Sequence, residues 1–228
     1  MKKEIEHIFF DLDHTLWDFD RNSTLAFEKI FNKFNLNINV EDFLMIYQPI
    51  NLKYWKLYRE DKVSKQDLRR GRLIEAFEPL KLKFSLETID EISDDYIDFL
   101  PDNNHLIEGA QEILDFLKPK YDLHIITNGF KEVQNNKLER SGIKPYFKTV
   151  TNSEEAGFKK PHPVIFEKAI EQSGADIGKS LMIGDNFEAD ILGAASFGFH
   201  TIFFNYHKEK IEETLIQINR LEDLKLYS

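Results

Sequence analysis

From Leu123 to Phe204 the chain alternates short apolar runs with stretches of helical periodicity, and no other feature of its 228 residues restricts the fold as much. Leu123–Thr127, Ser180–Ile183 and His200–Phe204 read as buried strands, and Tyr146–Thr151 as a weaker one. Between them Glu132–Ser141, Val164–Ser173 and Ala189–Phe197 read as helices, stopped by Gly142, Gly174 and Gly198. Ala110–Leu117 is a helix ahead of the first of these strands. Alternating β and α units imply a parallel sheet with right-handed crossovers. The early apolar run Ile8-Phe9-Phe10 belongs to the same sheet. The expected fold is therefore α/β, a Rossmann-like parallel sheet.

Between the first strand and the rest lies a different pattern. Ser23–Phe34, Val40–Tyr58, Lys65–Phe77 and Leu86–Leu100 are all helical, with start signals at Ser23, Glu41-Asp42 and Ser64. This implies a core built from 1–15 and 105–228, with an inserted α-helical cap domain at 16–104. A helical insertion beside a reactive loop is well placed to act as a lid.

Composition narrows the chemistry. Hydrophobic residues make up 42% of the chain, enough for a sizeable core. The formal net charge of −10 argues against binding a nucleic acid polymer. It also means that an anionic ligand needs a cation or a placed lysine. The absence of cysteine removes disulfides, thiolate metal sites and cysteine nucleophiles. The acidic N-terminal segment and the lack of a long apolar run lead to the expectation of a cytoplasmic protein with no membrane partner.

Four strand ends carry reactive side chains. The first strand runs into Asp11-Leu12-Asp13-His14-Thr15, and the second into Thr127-Asn128-Gly129. Lys159-Lys160-Pro161 follows the third, and Gly184-Asp185-Asn186 with Asp190 ends the fourth. Each has an ordinary explanation as a turn, a helix cap or a solvated side chain. A parallel sheet, however, brings its strand C-termini to one edge, so these segments should converge. One aspartate can then attack phosphorus, another can handle the leaving group's proton, and carboxylates can hold a hard cation.

In this order and context the motifs resemble the haloacid dehalogenase superfamily: Asp-x-Asp-x-Thr at 11–15, Thr127, Lys160-Pro161, and Gly184-Asp185 with Asp190. The helical insertion resembles that superfamily's cap. The resemblance implies Asp11 as nucleophile and Asp13 as general acid and base. It implies Mg2+ on a carboxylate oxygen of Asp11, the backbone carbonyl of Asp13 and Asp185. Thr127 and the backbone amides of Asn128 and Gly129 would bind phosphate with Lys160. Asp190 and Asn186 would support these groups from behind. Lys160 rather than Lys159 fits the Gly-x-x-Lys-Pro spacing from Gly157.

Within the superfamily the chain resembles the noncanonical pyrimidine nucleotidases. The match lies in Phe9–Leu16 with Phe19-Asp20, in Ile126–Phe130, and in Tyr47-Gln48, Asn51, Trp55 and Gly71-Arg72. It continues in Leu138–Gly142 and Ser153–Pro161. This implies a small-molecule phosphomonoester, a nucleotide, as partner, and a monomer or weak dimer is expected. Tyr47, Asn51 and Trp55 are spaced to share one helix face and are candidates for reading the base; the alternative is that the aromatics pack the cap's own core. A sugar or acyl-sugar phosphatase is the nearest rival. A dehalogenase would lack the second aspartate at 13, and a non-catalytic phosphate binder would not need the full set. An EF-hand fails at Leu16 and Asn22, and a P-loop fails at Ser173.

Overall fold

In the computed structural model, which describes residues 5–208, 210 and 216–227, five strands alternate with helices as their apolar periodicity requires. These are β1 (His7–Phe10), β2 (Asp122–Thr127), β3 (Phe147–Asn152), β4 (Ser180–Gly184) and β5 (His200–Phe204). A two-residue strand, β6 (Gln217–Ile218), joins them. All pair in parallel in the order β3-β2-β1-β4-β5-β6. Phe10 lies opposite Ile125 on one side and Ile183 on the other, so β1, β2 and β4 end side by side. Burial of the central strands β1, β2 and β4 is nearly continuous, as expected for strands covered on both faces. Phe9, Ile126 and Met182 pack with Ile165, Phe166 and Phe199 in one apolar cluster.

The chain divides into two compact units, residues 1–19 with 104–228 and residues 20–103. The first boundary lies beyond the expected 15/16 because the backbone of Leu16 and Asp18 is hydrogen-bonded to Ile107 and His105. Trp17 bridges both Asp13 and Leu106.

The helical unit holds α1 (Phe19–Lys33), α2 (Val40–Arg59), α3 (Lys65–Phe77) and α4 (Leu86–Phe99), α1 beginning one residue before the unit does. Ser64 starts α3 with a reciprocal capping box to Asp67. Ser23, expected as the first cap, is instead buried inside α1 with its hydroxyl 2.9 Å from that of Tyr96. The unit's interior is aromatic. Phe27 contacts Phe43, Tyr47 and Tyr96, and the buried Arg72 guanidinium sits 5.0 Å from the Tyr96 ring centre.

In the sheet unit, α5 (Ala110–Leu117), α6 (Lys131–Arg140), α7 (Ser153–Ala156), α8 (Pro163–Ser173) and α9 (Gly193–Phe197) connect the strands. The expected helix at Ala189–Phe197 is not uniform: Phe187–Leu192 forms a wide π-type turn before α9. Such turns recur at functional sites, and this one carries Asp190. Among the described residues, no helix is long and apolar enough to cross a membrane.

His124, on β2, is fully buried. Its ring stacks on Phe9, Nδ1 lies 2.8 Å from the Thr149 hydroxyl, and Nε2 lies 3.2 Å from Nδ1 of His7. Burial, with the neighbouring His7, pushes its pKa from 6.5 down to about 4. Between these values the unfolded chain takes up a proton that the folded chain refuses. Stability from this site is complete above pH 6.5, falls as pH drops toward 4, and levels off below that. Urea unfolding between pH 7.5 and 4.5 measures the slope. His124→Gln should flatten it, and an unchanged slope in that variant would assign the acid sensitivity elsewhere.

Candidate active site

The level ends of β1, β2 and β4 place the reactive side chains together. Asp11 leaves β1 with its amide still bonded to Ile183 O (2.9 Å), so its carboxylate emerges at the sheet edge. Lys160 reaches the same point from the loop after β3. It is 2% exposed, and its ammonium lies 2.6 Å from Asp11 Oδ1, 2.7 Å from Asp190 Oδ1 and 2.7 Å from the Ile126 carbonyl oxygen. It donates to Asp11 and to the Ile126 carbonyl and forms an ion pair with Asp190. Burial alone would lower the Lys160 pKa, but the two carboxylates outweigh it and hold it at about 12. Burial pushes Asp11 well above its ordinary value, Lys160 pulls it back, and Asp190 and Asp185 add to the upward pressure.

Asn128 clamps the lysine's backbone. Its Oδ1 accepts from the Lys160 amide (2.8 Å), and its Nδ2 donates to the Lys160 carbonyl (3.0 Å). Gly184 leaves room for Asp190, since a Cβ there would stand 2.3 Å from Asp190 Oδ2. The amide of Asn186 donates to that same oxygen (3.0 Å), while Asn186 Oδ1 accepts from the Ala189 amide (2.9 Å). Asn186 and Asp190 thus form one loop lock behind Lys160.

Asp13 faces other partners. Lys137 Nζ donates to its Oδ1 (2.5 Å), and Gln134 Nε2 donates to its Oδ2 (2.9 Å). Gln134 Nε2 also donates to Thr127 Oγ1 (2.6 Å), which accepts from the Gly129 amide as well (3.1 Å). With both lone pairs of Thr127 Oγ1 engaged, its proton remains to be donated. The Gly129 amide, expected to face phosphate, is turned to this hydroxyl. Asn152 and Ser153 at the end of β3 bond the carbonyls of Gly129 and Asn128.

Carboxylate oxygens of Asp11, Asp185 and Asp190 lie within 4.8 Å of one another. Thr15 donates to Asp185 Oδ1 (3.2 Å), and His207 Nε2 and His14 Nδ1 lie 3.6 and 3.9 Å from Oδ2. One ammonium against three acids leaves negative charge in excess, and the donor set is oxygen-rich. That suits a hard divalent cation. Asp190 already serves Lys160 and Asn186, and the Asp13 carboxylate faces α6. Of the carboxylates expected on a metal, Asp11 and Asp185 lie together here.

In the helical unit, Tyr47 is 1% exposed and stacked against Phe43, so its ring is part of that unit's core. Asn51 is buried, and its Oδ1 accepts from Arg72 (2.9 Å). Trp55 is half-buried, edge-on to Tyr58. Gln134, Lys137, Asn152, Ser153 and His207 were not among the expected site residues. Gln134 and Lys137 could have been flagged, because they fall on the stripe of α6 that also buries Val133 and Leu138. Nothing in the pattern around His207 singles it out.

A family model described as haloacid dehalogenase-like hydrolase matches residues 5–198. The chain is 33% identical over 224 residues to the pyrimidine 5'-nucleotidase YjjG of Escherichia coli, covering 95% of this chain and 96% of that protein. It is 30% identical over 225 residues to a glyceraldehyde 3-phosphate phosphatase of Methanothermobacter thermautotrophicus, covering 96% and 93%. Among solved structures, the magnesium-bound HAD-hydrolase YfnB of Bacillus subtilis matches with a TM-score of 0.89 at 28% identity, over 99% of both chains.

Removing the ammonium while keeping the stem isolates its electrostatic part. In chelator-treated protein at pH 7, Lys160→Met should lower unfolding stability by about 3–5 kcal/mol, because two buried carboxylates lose their partner. Urea titration of both proteins checks this. A variant as stable as the wild type would show that Lys160 is not what compensates Asp11 and Asp190.

Proposed function

The chain belongs to the haloacid dehalogenase-like hydrolases, and we propose that within that family it is a Mg2+-dependent phosphomonoester hydrolase acting through an aspartyl-phosphate. One observation carries the reading. Two carboxylates one residue apart have different partners, Asp11 paired with the phosphate-side lysine and Asp13 held apart by Gln134 and Lys137. A nucleophile and a proton carrier require that difference. The presence of Asp13 also separates this chemistry from dehalogenation.

Asp11 attacks phosphorus in line as the P–O bond to the leaving group breaks, and Asp13 delivers its proton to the departing oxygen. Asp13, now ionised, then takes a proton from the water that hydrolyses the aspartyl-phosphate, and Asp11 is regenerated. The Thr127 hydroxyl and the Asn128 amide donate to phosphoryl oxygens. Lys160 balances the charge that develops on them, where preorganised donors count most. Asp11, Asp185 and the carbonyl of Asp13 would hold Mg2+, which when bound offsets repulsion between the Asp11 carboxylate and the phosphate dianion.

The substrate reading is a pyrimidine nucleoside 5'-monophosphate. It is supported by the motif match through Tyr47, Asn51, Trp55 and Gly71-Arg72 and by the likeness to a pyrimidine 5'-nucleotidase. Trp55, the least buried of the aromatic candidates, is the residue we assign to stacking on the base. The glyceraldehyde 3-phosphate phosphatase likeness supports a second reading, a small sugar-type phosphate.

Phosphate release with Mg2+ from UMP, dUMP, dTMP and a set of sugar phosphates decides between them. The nucleotides should dominate, and a panel led by sugar phosphates overturns the substrate reading alone. Asp11→Asn should abolish turnover, while Asp13→Asn should slow it by roughly 10²- to 10⁴-fold. Wild-type rates in Asp11→Asn, or after exhaustive chelation, would sink the nucleophile or the metal role respectively.

A further inference from the structure

We propose that Lys137 is a positioning residue for proton transfer. It fixes the Asp13 carboxylate and, with Gln134, holds it in register with the Thr127 hydroxyl. This rests on the phosphatase reading above and goes beyond it in assigning a task to α6.

A lysine that is 2% exposed needs a reason, because burying an ammonium without a strong partner is costly. Lys137 takes a carboxylate oxygen of Asp13 at 2.5 Å. The ammonium also lies 4.2 Å from the Trp17 ring centre and 5.2 Å from that of Phe19. Trp17 is itself completely buried and bridges backbone on both sides, so this aromatic wall is rigid. Three residues earlier on the same face of α6, Gln134 takes the other Asp13 oxygen and simultaneously the Thr127 hydroxyl. One helix therefore sets the acid/base group and the phosphate-binding hydroxyl relative to each other. A plain structural ion pair would need neither the second oxygen nor the link to Thr127.

The chemical consequence follows from when charge appears. As the P–O bond breaks, its electron pair goes to the leaving oxygen and the Asp13 O–H proton follows it. A carboxyl held by two donors in one orientation meets the leaving oxygen without a search over rotamers, and that positioning counts only where the proton is needed. An ester whose leaving group departs readily as an anion does not need the proton, and should not need Lys137.

The test compares kcat/KM for UMP and p-nitrophenyl phosphate in wild type, Lys137→Met and Lys137→Gln, with Mg2+. This parameter covers steps through ester cleavage and excludes the later hydrolysis. Met keeps the packing stem and Gln keeps a donor; cooperative thermal unfolding verifies that each is folded. UMP hydrolysis should fall about 100-fold or more in Lys137→Met, and p-nitrophenyl phosphate hydrolysis less than about 10-fold. In an Asp13→Asn background, Lys137→Met should cost nothing further on UMP, because the lysine acts only through that carboxylate. Equal losses on both esters, no loss on UMP, or additive losses in the double variant would each overturn the assignment. Wild-type protein inert toward both esters would instead bring down the phosphatase reading itself.

Discussion

The buried ammonium of Lys160 holds the sheet edge together. Its three partners come from three different segments: Asp11 after β1, the Ile126 carbonyl on β2, and Asp190 in the turn after β4. None of these groups is well placed without the others. The lysine is too deep to be solvated, and the two aspartates are too deep to remain charged alone. This mutual dependence explains several side chains and one glycine whose contacts serve the cluster itself. Asn128 clamps the lysine's backbone, Gly184 clears space for Asp190, and the amide of Asn186 steadies it.

Around this ion cluster the two aspartates of the first motif are sorted by their surroundings. Asp11 shares a low-dielectric pocket with Lys160, Asp185 and Asp190, where acids outnumber the ammonium. Asp13 points to α6 and meets a second buried lysine and an amide. Identical side chains two positions apart thus acquire different chemistry from what packs beside them. Thr127 stands between the two groups, tied through Gln134 to one and through the end of β2 to the other.

Much of the architecture was legible in the chain. The β–α alternation, the helical block after the first motif and the stops at Gly142, Gly174 and Gly198 all follow from local periodicity and turn chemistry. The misreadings have a common cause. Ser23 has the composition of a helix cap, but its hydroxyl is drawn to Tyr96 inside the helical unit. Ala189–Phe197 has helical periodicity, but its first turn widens where Asp190 reaches Lys160. In both cases a long-range partner outweighs a local preference. Tyr47 takes the core-packing alternative raised for it, in an aromatic interior that also contains Asn51 and Arg72.

The sequence by itself determined which segments would meet, because a parallel sheet aligns its strand ends whatever the side chains do. It also put Asp11, Lys160 and Asp185 at that edge. Only the tertiary structure decided which carboxylate each lysine serves. Gln134 and Lys137 lie on the stripe of α6 that buries Val133 and Leu138, but nothing local shows that Asp13 and Thr127 are what this stripe meets. That choice depends on side chains far apart in the chain closing to hydrogen-bond distance, at a range where a fraction of an ångström separates an ion pair from a solvated charge.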